Sequence, residues 1–402
     1  MYGAGSIGRG FMAQLFCESG YDTVFIDVNT ELIDRINEAG EYPLCFVDND
    51  FCREIRVKNV SGIYGQDRKK ISEVIAGADV MATSLGKSVL PNVAEVIAEG
   101  LRLRMSQTPE KYLNIIVCEN MIRANEYLKE LVQQYMTPEE IAWMDEHIGM
   151  VETCIGRNVP VMTPELWGDD PLRVLAEDYS LLPVDKKTVR GPLPKIKNME
   201  FRDEFGFYIR QKLFMYNMAH AVIGYSTVAD GLLKLSDAVR IPEVKYLALK
   251  CLAQISEAMA GEYGRDFGEL FKYSRGLLKR FENRRLGISV PRLCAEPLRK
   301  VSEDDRMTGA ALLCMKHGIV PSHICAGIAY AYAFDDPRDA QSAELQEYLK
   351  ANGIERAVER YSRLPEDSPL AGMICRYYRM VTQGSTLWQI VGSADEEEFE
   401  KI

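Results

Sequence analysis

The segment KLFMYNMAH contains three polar side chains, Lys212, Asn217 and His220, whose types suit acid–base chemistry on an alcohol. On an α-helix, at about 100° per residue, His220 lies roughly 80° and Asn217 roughly 140° from Lys212, so all three can line one wall of a cleft. An alcohol releases hydride as its hydroxyl proton leaves, and without a metal a side chain must accept that proton. Desolvation lowers the pKa of a lysine from about 10.4 towards 7 to 8, which suits Lys212 as the base. Asn217 can donate to the developing alkoxide, and His220 can orient the hydroxyl or the lysine.

The opening MYGAGSIGRGF contains the pattern G-x-G-x-x-G at Gly3, Gly5 and Gly8. Such a turn lets the backbone approach a dinucleotide pyrophosphate, and the N-terminus of the following helix favours the anion. The pattern has this meaning only after a strand, which usually needs about five residues, whereas only Met1 and Tyr2 precede Gly3. The predicted cofactor loop consists of Gly3, Gly5, Ser6, Ile7, Gly8 and Arg9.

A carboxylate follows this loop at the spacing expected for a nucleotide ribose. Asp27 ends the apolar run TVFIDV, 19 positions after Gly8, and an acid about 20 residues on meets the ribose hydroxyls. Asp27 would repel a 2′-phosphate, and neither Val28 nor Asn29 offers a cation to hold one. The sequence therefore predicts NAD rather than NADP.

Composition limits the classes of protein that this chain can represent. With 402 residues, 47% hydrophobic and 27% charged, it can bury a large core in two domains. The net charge of −11 argues against broad nucleic-acid binding. No apolar run approaches the roughly 18 residues of a membrane span and no signal peptide is present, so we expect a cytoplasmic protein without membrane contact. Ten singly scattered cysteines predict reduced thiols and no metal site.

Apolar runs of strand length occur at residues 23–28, 79–84 and 113–118, and helical stretches separate them. This alternation predicts an α/β fold with a Rossmann-type, doubly wound parallel sheet, which binds ligands at the carboxyl ends of its strands. Asn120 lies directly after the third run, so we predict that it is a site residue. Residues 9–19 are predicted to be helical.

From about residue 205 the pattern changes to long helical segments. We predict an NAD-binding domain over residues 1–202 and a mostly α-helical substrate-binding domain over residues 203–402, with the active site in the cleft between them. The boundary follows the turn-rich segment GPLPKIKNME, and the acidic ending ADEEEFEKI is predicted to be a solvated tail. The predicted helices cover residues 207–235, 242–262, 265–282, 306–333 and 340–361.

Several segments, in this order, resemble the polyol-specific long-chain dehydrogenases: GAGSIGRGF, FIDVN, LNIIVCENMIR, the K-x-x-x-x-N-x-x-H helix, and RFEN followed by PLRKVSEDDR. The resemblance extends over roughly residues 3 to 310. It implies that Lys212 is the general acid/base and that Asn217 and Asn120 polarise the reacting oxygen. It also implies a supporting hydrogen-bonding role for His220 and catalysis without a metal.

Two features depart from the family pattern. The family segment V-D-R-I-x-P reads CIGRNVP here, which keeps Arg157 and Pro160 but places Gly156 where the family has Asp. Relatives also run several residues before their first glycine and build a central strand under the cofactor. We therefore expect the first strand to be truncated in this chain.

Residues 279–306 are rich in lysine and arginine, mixed with five acids. For any single cation, a solvated surface position is the simpler interpretation. Collectively, they suit an anionic sugar, because arginine binds phosphate or carboxylate through two hydrogen bonds. The resemblance favours Arg292 and Lys300 near the substrate, and Arg299 and Arg306 as further candidates for the phosphate.

The resemblance implies an NAD-dependent polyol dehydrogenase, and we expect it to oxidise D-mannitol 1-phosphate reversibly to D-fructose 6-phosphate. A keto-uronate reductase acting on fructuronate or tagaturonate stays open, since the same cations could hold a carboxylate. An isomerase or epimerase that uses bound NAD for transient oxidation stays open as well. A non-catalytic NAD-binding protein fits less well, because a pure binder needs no base of the Lys212 kind.

Overall fold

The structure, a computed structural model, describes residues 1–192 and 194–399. The chain divides into two compact units, Met1–Ile209 and Arg210–Ile402. The domain boundary predicted after residue 202 stays a prediction. Within the described ranges, no helix combines the length and the apolar character needed to cross a membrane.

The first unit is built around a parallel sheet. One part pairs β1 with β4, and another pairs β5, β6 and β7 in that order, all parallel. Tyr2 joins the two parts through parallel bridges to Ile26 and Thr83. The predicted Rossmann-type sheet is confirmed. The strands of this unit among the described residues are β1 (Thr23–Asp27), β2 (Glu41–Val47), β3 (Cys52–Lys58), β4 (Val60–Tyr64), β5 (Val80–Thr83), β6 (Leu113–Val117), β7 (Ile148–Glu152), β8 (Val174–Ala176), β9 (Leu182–Asp185) and β10 (Met199–Arg202).

Helices cover the sheet, which explains why every residue of β6 is buried. The predicted helix at residues 9–19 is present, but it opens with a π-helical turn, Gly8–Met12, before its α-helical part. Side-chain caps fix several helix starts, as where Asn29 Oδ1 accepts the Leu32 N–H at 3.0 Å. The other helices are Ala13–Glu18, Thr30–Ala39, Arg68–Gly77, Leu90–Gln107, Ala124–Gln133, Pro138–His147, Pro164–Trp167, the 3₁₀ turn Lys186–Thr188, and Phe205–Arg210.

A second, smaller sheet packs beside the first. β2 pairs antiparallel with β3 and parallel with β8. The buried Tyr42 and Phe46 of β2 join Phe11 and Phe25 in one apolar cluster. The sequence analysis missed this sheet because it looked only for the alternation of strands and helices that a doubly wound fold requires.

The parallel sheet borders a cavity on the amino side of Tyr2. A cavity of about 320 Å³ lies there between β1 and β5, lined by apolar side chains that include Phe16 and Ile75. The Met1 amine donates to the Val24 carbonyl at 2.8 Å, and burial lowers the pKa of this amine to about 5.

The second unit is mostly helical, as predicted. Two of its helices, Met218–Thr227 and Ser322–Ala333, are almost wholly buried and form its centre. Its other α-helices are Leu235–Ala238, Pro242–Tyr263, Phe267–Phe281, Val290–Cys294, Pro297–Lys300, Thr308–Lys316, Ala340–Ser362, Pro369–Thr382 and Leu387–Phe399, with the 3₁₀ turns Val228–Asp230 and Arg284–Leu286 and the π-helix Gln211–Asn217.

Three predicted helices differ from the observed ones. The segment 306–333 is two helices, because the first helix ends at Lys316 and the chain turns at Gly318, whose φ is +74°. The segment 340–361 is kinked at Gly353, whose φ is +81°. The segment 207–235 changes to a π-helix and ends in a 3₁₀ turn.

The prediction of a solvated acidic tail is wrong for the described residues. The helix Leu387–Phe399 buries Ile390 and Val391, and this packing brings its acids to partners. Glu397 accepts the Tyr377 hydroxyl at 2.8 Å, and Glu398 pairs with Lys250 at 2.6 Å. Residues 400–402 of the predicted tail lie outside the described residues.

Candidate active site

The glycine turn of the first unit is shaped by close approaches of the backbone. Gly3 has φ +97°, and a Cβ there would lie 2.3 Å from the Ser84 carbonyl oxygen. A Cβ on Gly8 would lie 2.1 Å from the Gly3 carbonyl oxygen. At Gly5, by contrast, a Cβ would find no atom of the described residues within 4 Å. Gly3 and Gly8 therefore allow the close packing of the turn, whereas Gly5 faces open space that part of a ligand could occupy.

The helix after the turn is fixed by side chains that point inward. The Ser6 hydroxyl donates to the Pro160 carbonyl at 3.1 Å, and Ile7 packs against the apolar cluster. The guanidinium of Arg9 is buried and donates to the carbonyls of Ala4 at 2.8 Å and Leu172 at 3.0 Å. The Arg9 side chain therefore stabilises the turn from behind rather than reaching towards a cofactor.

Asp27 stands at the carboxyl end of β1, next to the glycine turn. Its Oδ2 accepts the Ala4 N–H at 2.7 Å and its Oδ1 accepts the Asn29 N–H at 3.0 Å. A carboxylate has about four lone-pair positions, so two main-chain donors leave capacity for ribose hydroxyls. Val28, the next residue, is 76% exposed. The ribose-binding role predicted for Asp27 stays a prediction.

Arg157 connects the segment CIGRNVP to the helix of the glycine turn. Its Nη1 donates to the Gly10 carbonyl at 2.9 Å and to Gln14 Oε1 at 2.6 Å. Burial lowers the pKa of Arg157 to about 10. Beside it, a Cβ on Gly156 would lie 3.0 Å from the Tyr179 ring. An Asp at this position, as in the family pattern, would be crowded by Tyr179.

Asn120 is exposed just beyond the end of β6, at the sheet edge where the sequence places a site residue. The preceding Glu119 is buried, and its carboxylate accepts the main-chain N–H groups of Leu85 and Gly86. These two contacts reach the loop after β5, which no short-range sequence pattern could indicate.

Lys212 and Asn217 lie on the π-helix Gln211–Asn217 of the second unit. In a π-helix the hydrogen bonds join residues five apart, so residues at this separation lie about one turn above each other. Lys212 and Asn217 are five apart and therefore share a face more closely than the 140° of an α-helix would allow. Both are partly exposed. The α-helical geometry assumed from the sequence is therefore wrong for this segment.

His220 follows on the adjoining α-helix and is buried between two aromatic rings. Its ring centroid lies 4.5 Å from that of Tyr216 and 4.1 Å from that of Phe281. Desolvation, aided by the charges of Arg280 and Arg306, lowers the pKa of His220 to about 3. His220 is thus neutral at pH 7. Its Nε2 is buried without a hydrogen-bond partner among the described residues, as expected of a group that meets a ligand.

Two of the predicted substrate cations are buried. Lys300 is 3% exposed, and its ammonium group donates to the carbonyls of Leu293 and Ala295. Desolvation, followed by the charge of Arg306, lowers the pKa of Lys300 to about 7. Arg306 is also buried and pairs with Asp305 at 2.7 Å. Lys300 and Arg306 both lie close enough to His220 for their positive charges to lower its pKa.

The other two predicted cations are at the surface. Arg299 is exposed and pairs with Glu296 at 2.8 Å. Arg292 is exposed, and its N–H donates to the Ser289 hydroxyl. An exposed ion pair of this kind contributes little to the free energy of unfolding. Arg299 therefore fits the simpler interpretation as a solvated surface residue.

The first unit is a Rossmann-type domain, as its parallel sheet and glycine turn define it. Comparison with known proteins takes the assignment further. Residues 1–198 match the mannitol dehydrogenase Rossmann domain, and residues 205–379 match the mannitol dehydrogenase C-terminal domain. The chain belongs to the mannitol dehydrogenase family, and it is an oxidoreductase. The family resemblance predicted from the sequence is confirmed.

Individual relatives agree over almost their whole length. A mannitol-1-phosphate 5-dehydrogenase of Brevibacillus brevis is 34% identical over 384 residues, covering 96% of this chain and 98% of the relative. One of Thermoanaerobacter pseudethanolicus is 32% identical over 378 residues, covering 94% and 96%. Among solved structures, the mannitol 2-dehydrogenase of Pseudomonas fluorescens with NAD and D-mannitol has a TM-score of 0.77 at 13% identity, covering 98% of this chain and 93% of that one. That structure supports the fold.

Proposed function

We propose that the protein catalyses the reversible, NAD-dependent oxidation of D-mannitol 1-phosphate to D-fructose 6-phosphate. The observation that carries the chemistry is the π-helical turn that places Lys212 and Asn217 on one face. The near-full-length relatives named mannitol-1-phosphate 5-dehydrogenase support the choice of substrate. The cytoplasmic location expected from the sequence stays a prediction.

The glycine turn and Asp27 fit a dinucleotide. The open space beside Gly5 suits a pyrophosphate, and the N–H groups at the start of the helix from Ser6 onward suit its charge. The free acceptor capacity of Asp27 suits ribose hydroxyls and disfavours a 2′-phosphate. NAD, when bound, supplies the hydride acceptor for the reaction.

Lys212 takes the hydroxyl proton during oxidation and returns it during reduction. Asn217 and Asn120 donate hydrogen bonds to the oxygen as negative charge develops on it. Neutral His220 offers its unpartnered Nε2 to a substrate hydroxyl. Lys300 and Arg306 supply positive charge for the phosphate, and Arg292 is a further candidate on the same unit.

The proposal is tested by following NADH consumption with fructose 6-phosphate, fructose, fructuronate and tagaturonate at matched concentrations. We expect a clear preference for fructose 6-phosphate. Preference for either uronate would replace the phosphate assignment with a carboxylate at the same cations. Conversion of a sugar without net NADH turnover, by protein purified with stoichiometric NAD, would establish an isomerase or epimerase instead.

A further inference from the structure

We propose that Glu119 is a positioning residue, which fixes the turn carrying Asn120 by holding the neighbouring loop after β5. This inference rests on the proposed function, because it assigns Glu119 a part in placing an oxyanion donor. Glu119 does not itself touch the reacting atoms in this proposal. Its effect passes through the backbone to Asn120.

The carboxylate of Glu119 is bound at both oxygens. Oε1 accepts the Leu85 N–H at 2.9 Å, and Oε2 accepts the Gly86 N–H at 2.7 Å. Glu119 is only 7% exposed. Two successive main-chain N–H groups that converge on one anion form a nest, and Gly86, with φ +90°, supplies the left-handed residue that such a turn uses.

This contact joins the carboxyl ends of adjacent strands. β5 and β6 pair through Thr83 and Val117, and Glu119 crosses between their following loops just above that pair. The β5 loop is itself placed by the glycine turn, because the Ser84 N–H donates to the Tyr2 carbonyl at 2.9 Å. Movement of the segment before Asn120 would therefore disturb the loop after β5 and, through the Ser84–Tyr2 hydrogen bond, the start of the glycine turn.

A second carboxylate holds the far end of the same turn. Glu152, the last residue of β7, accepts the Arg123 N–H at 3.1 Å. Desolvation raises the pKa of Glu152, since the carboxylate is partly buried. The turn from Asn120 to Arg123 is thus tied to β5 at its start and to β7 at its end.

The energetic cost of releasing Glu119 explains why it can act as a positioning group. A buried carboxylate that loses both partners is stabilised by neither water nor protein, so alternative positions of the turn are unfavourable. Catalytic groups need this restriction, because a displacement of about 1 Å can cost about a hundredfold in rate. Substitution of a residue with a purely structural role would lower the free energy of unfolding without a selective effect on kcat.

The test compares Glu119→Gln and Glu119→Ala with the wild-type protein. We expect kcat for fructose 6-phosphate reduction to fall about tenfold in Glu119→Gln, which keeps one acceptor, and about a hundredfold in Glu119→Ala. The KM for NADH should change less than about threefold, because the hydrogen bonds of the Glu119 carboxylate go to Leu85 and Gly86 rather than to the predicted cofactor loop. Glu140→Gln is the matched control, since its carboxylate also accepts a main-chain N–H, that of Thr137 at 2.9 Å, at a helix start.

Hydrogen exchange provides a readout that does not need activity. The Leu85 and Gly86 amides should exchange faster in Glu119→Gln and stay protected in Glu140→Gln. An unchanged kcat in Glu119→Ala, or unchanged protection of both amides, would overturn the proposal. If the wild-type protein reduces none of the four sugars, the proposed function fails, and the exchange rates alone then decide whether Glu119 holds the loop.

Discussion

The two units hold their functional groups in different ways. In the first, Arg9, Asp27 and Glu119 all bind main-chain groups, so the backbone itself forms the binding surface. In the second, His220 and Lys300 are buried side chains whose pKa values are lowered by desolvation. Main-chain N–H groups held in place suit the binding of a dinucleotide, whereas desolvated side chains suit polar contacts to a substrate. We expect substitution of Asp27 in the first unit to change the Kd for NADH, and substitution of Lys212 in the second unit to change kcat.

The largest expected effect separates these two roles at Lys212. Lys212→Ala should lower kcat by about a hundredfold to ten-thousandfold, the range of a lost general acid/base, while the Kd for NADH stays nearly unchanged. Steady-state kinetics and NADH fluorescence titration measure the two quantities. Lys350→Ala, at an exposed position on another helix of the same unit, is the control. Substantial residual hydride transfer in Lys212→Ala would remove Lys212 as the base.

The Met1 amine is hydrogen-bonded to the Val24 carbonyl, but it is buried, so its charged form is destabilised by desolvation. Its pKa is about 5 in the folded protein and 8.0 ordinarily, so between these values the unfolded state binds a proton that the folded state does not. Stability should therefore fall as pH falls from 8 to 5, by about 4 kcal/mol at 1.36 kcal/mol per pKa unit.

An apolar extension of Met1 provides the measurement. Four added Val and Ile residues would convert the amine into an amide and enter the cavity between β1 and β5. The extended chain should unfold at a higher temperature, lose this pH dependence between 5 and 8, and bind NADH more tightly. An extension of equal length made of Gly and Ser is the control for simple loss of the charge. Equal NADH affinity in the apolar and unextended chains would show that the cavity does not influence the glycine turn.

How far the sequence predicted the molecule depends on the range of the interactions involved. The glycine turn, Asp27 and Asn120 follow from local patterns, because each is set by its own strand end. The inward direction of Arg9 follows from the Leu172 carbonyl, which is 163 residues away in the chain and invisible to spacing. The π-helix at Lys212 was missed because its residue types are those of an ordinary α-helix.

Substitution of Asp27 tests whether this residue of the first unit acts mainly in binding the cofactor. Asp27→Ala should raise the Kd for NADH about tenfold to a hundredfold, through lost hydrogen bonds of a charged group, with a smaller change in kcat at saturating NADH. Asp67→Ala is the matched control, because Asp67 also accepts a main-chain N–H, that of Lys70 at 3.2 Å, in the same unit. A fall in kcat without a change in Kd would remove Asp27 as a cofactor-binding residue.

The smallest expected effect concerns the charge of Lys300. Its pKa of about 7 means that Lys300 is mostly charged at pH 6 and mostly neutral at pH 8. The attraction for an anionic substrate should therefore weaken across this range, and the KM for fructose 6-phosphate should rise several-fold between pH 6.5 and 8.5. The second pKa of a phosphate group is about 6, so the substrate is already largely dianionic there and contributes little opposing change.

Lys300→Met distinguishes this effect from other titrations. The variant should have a raised KM at pH 6.5 and a nearly flat pH dependence, while kcat changes less because Lys212 is intact. The folded-state pKa lies below the ordinary 10.5, so the unfolded state carries the extra proton between about pH 7 and 10.5. Lys300 should therefore add stability as pH rises through that window, and this contribution should be absent in Lys300→Met. A KM that rises with pH equally in both proteins would assign the effect to another titrating group. Lys300 would then have only the structural role of donating hydrogen bonds to the Leu293 and Ala295 carbonyls.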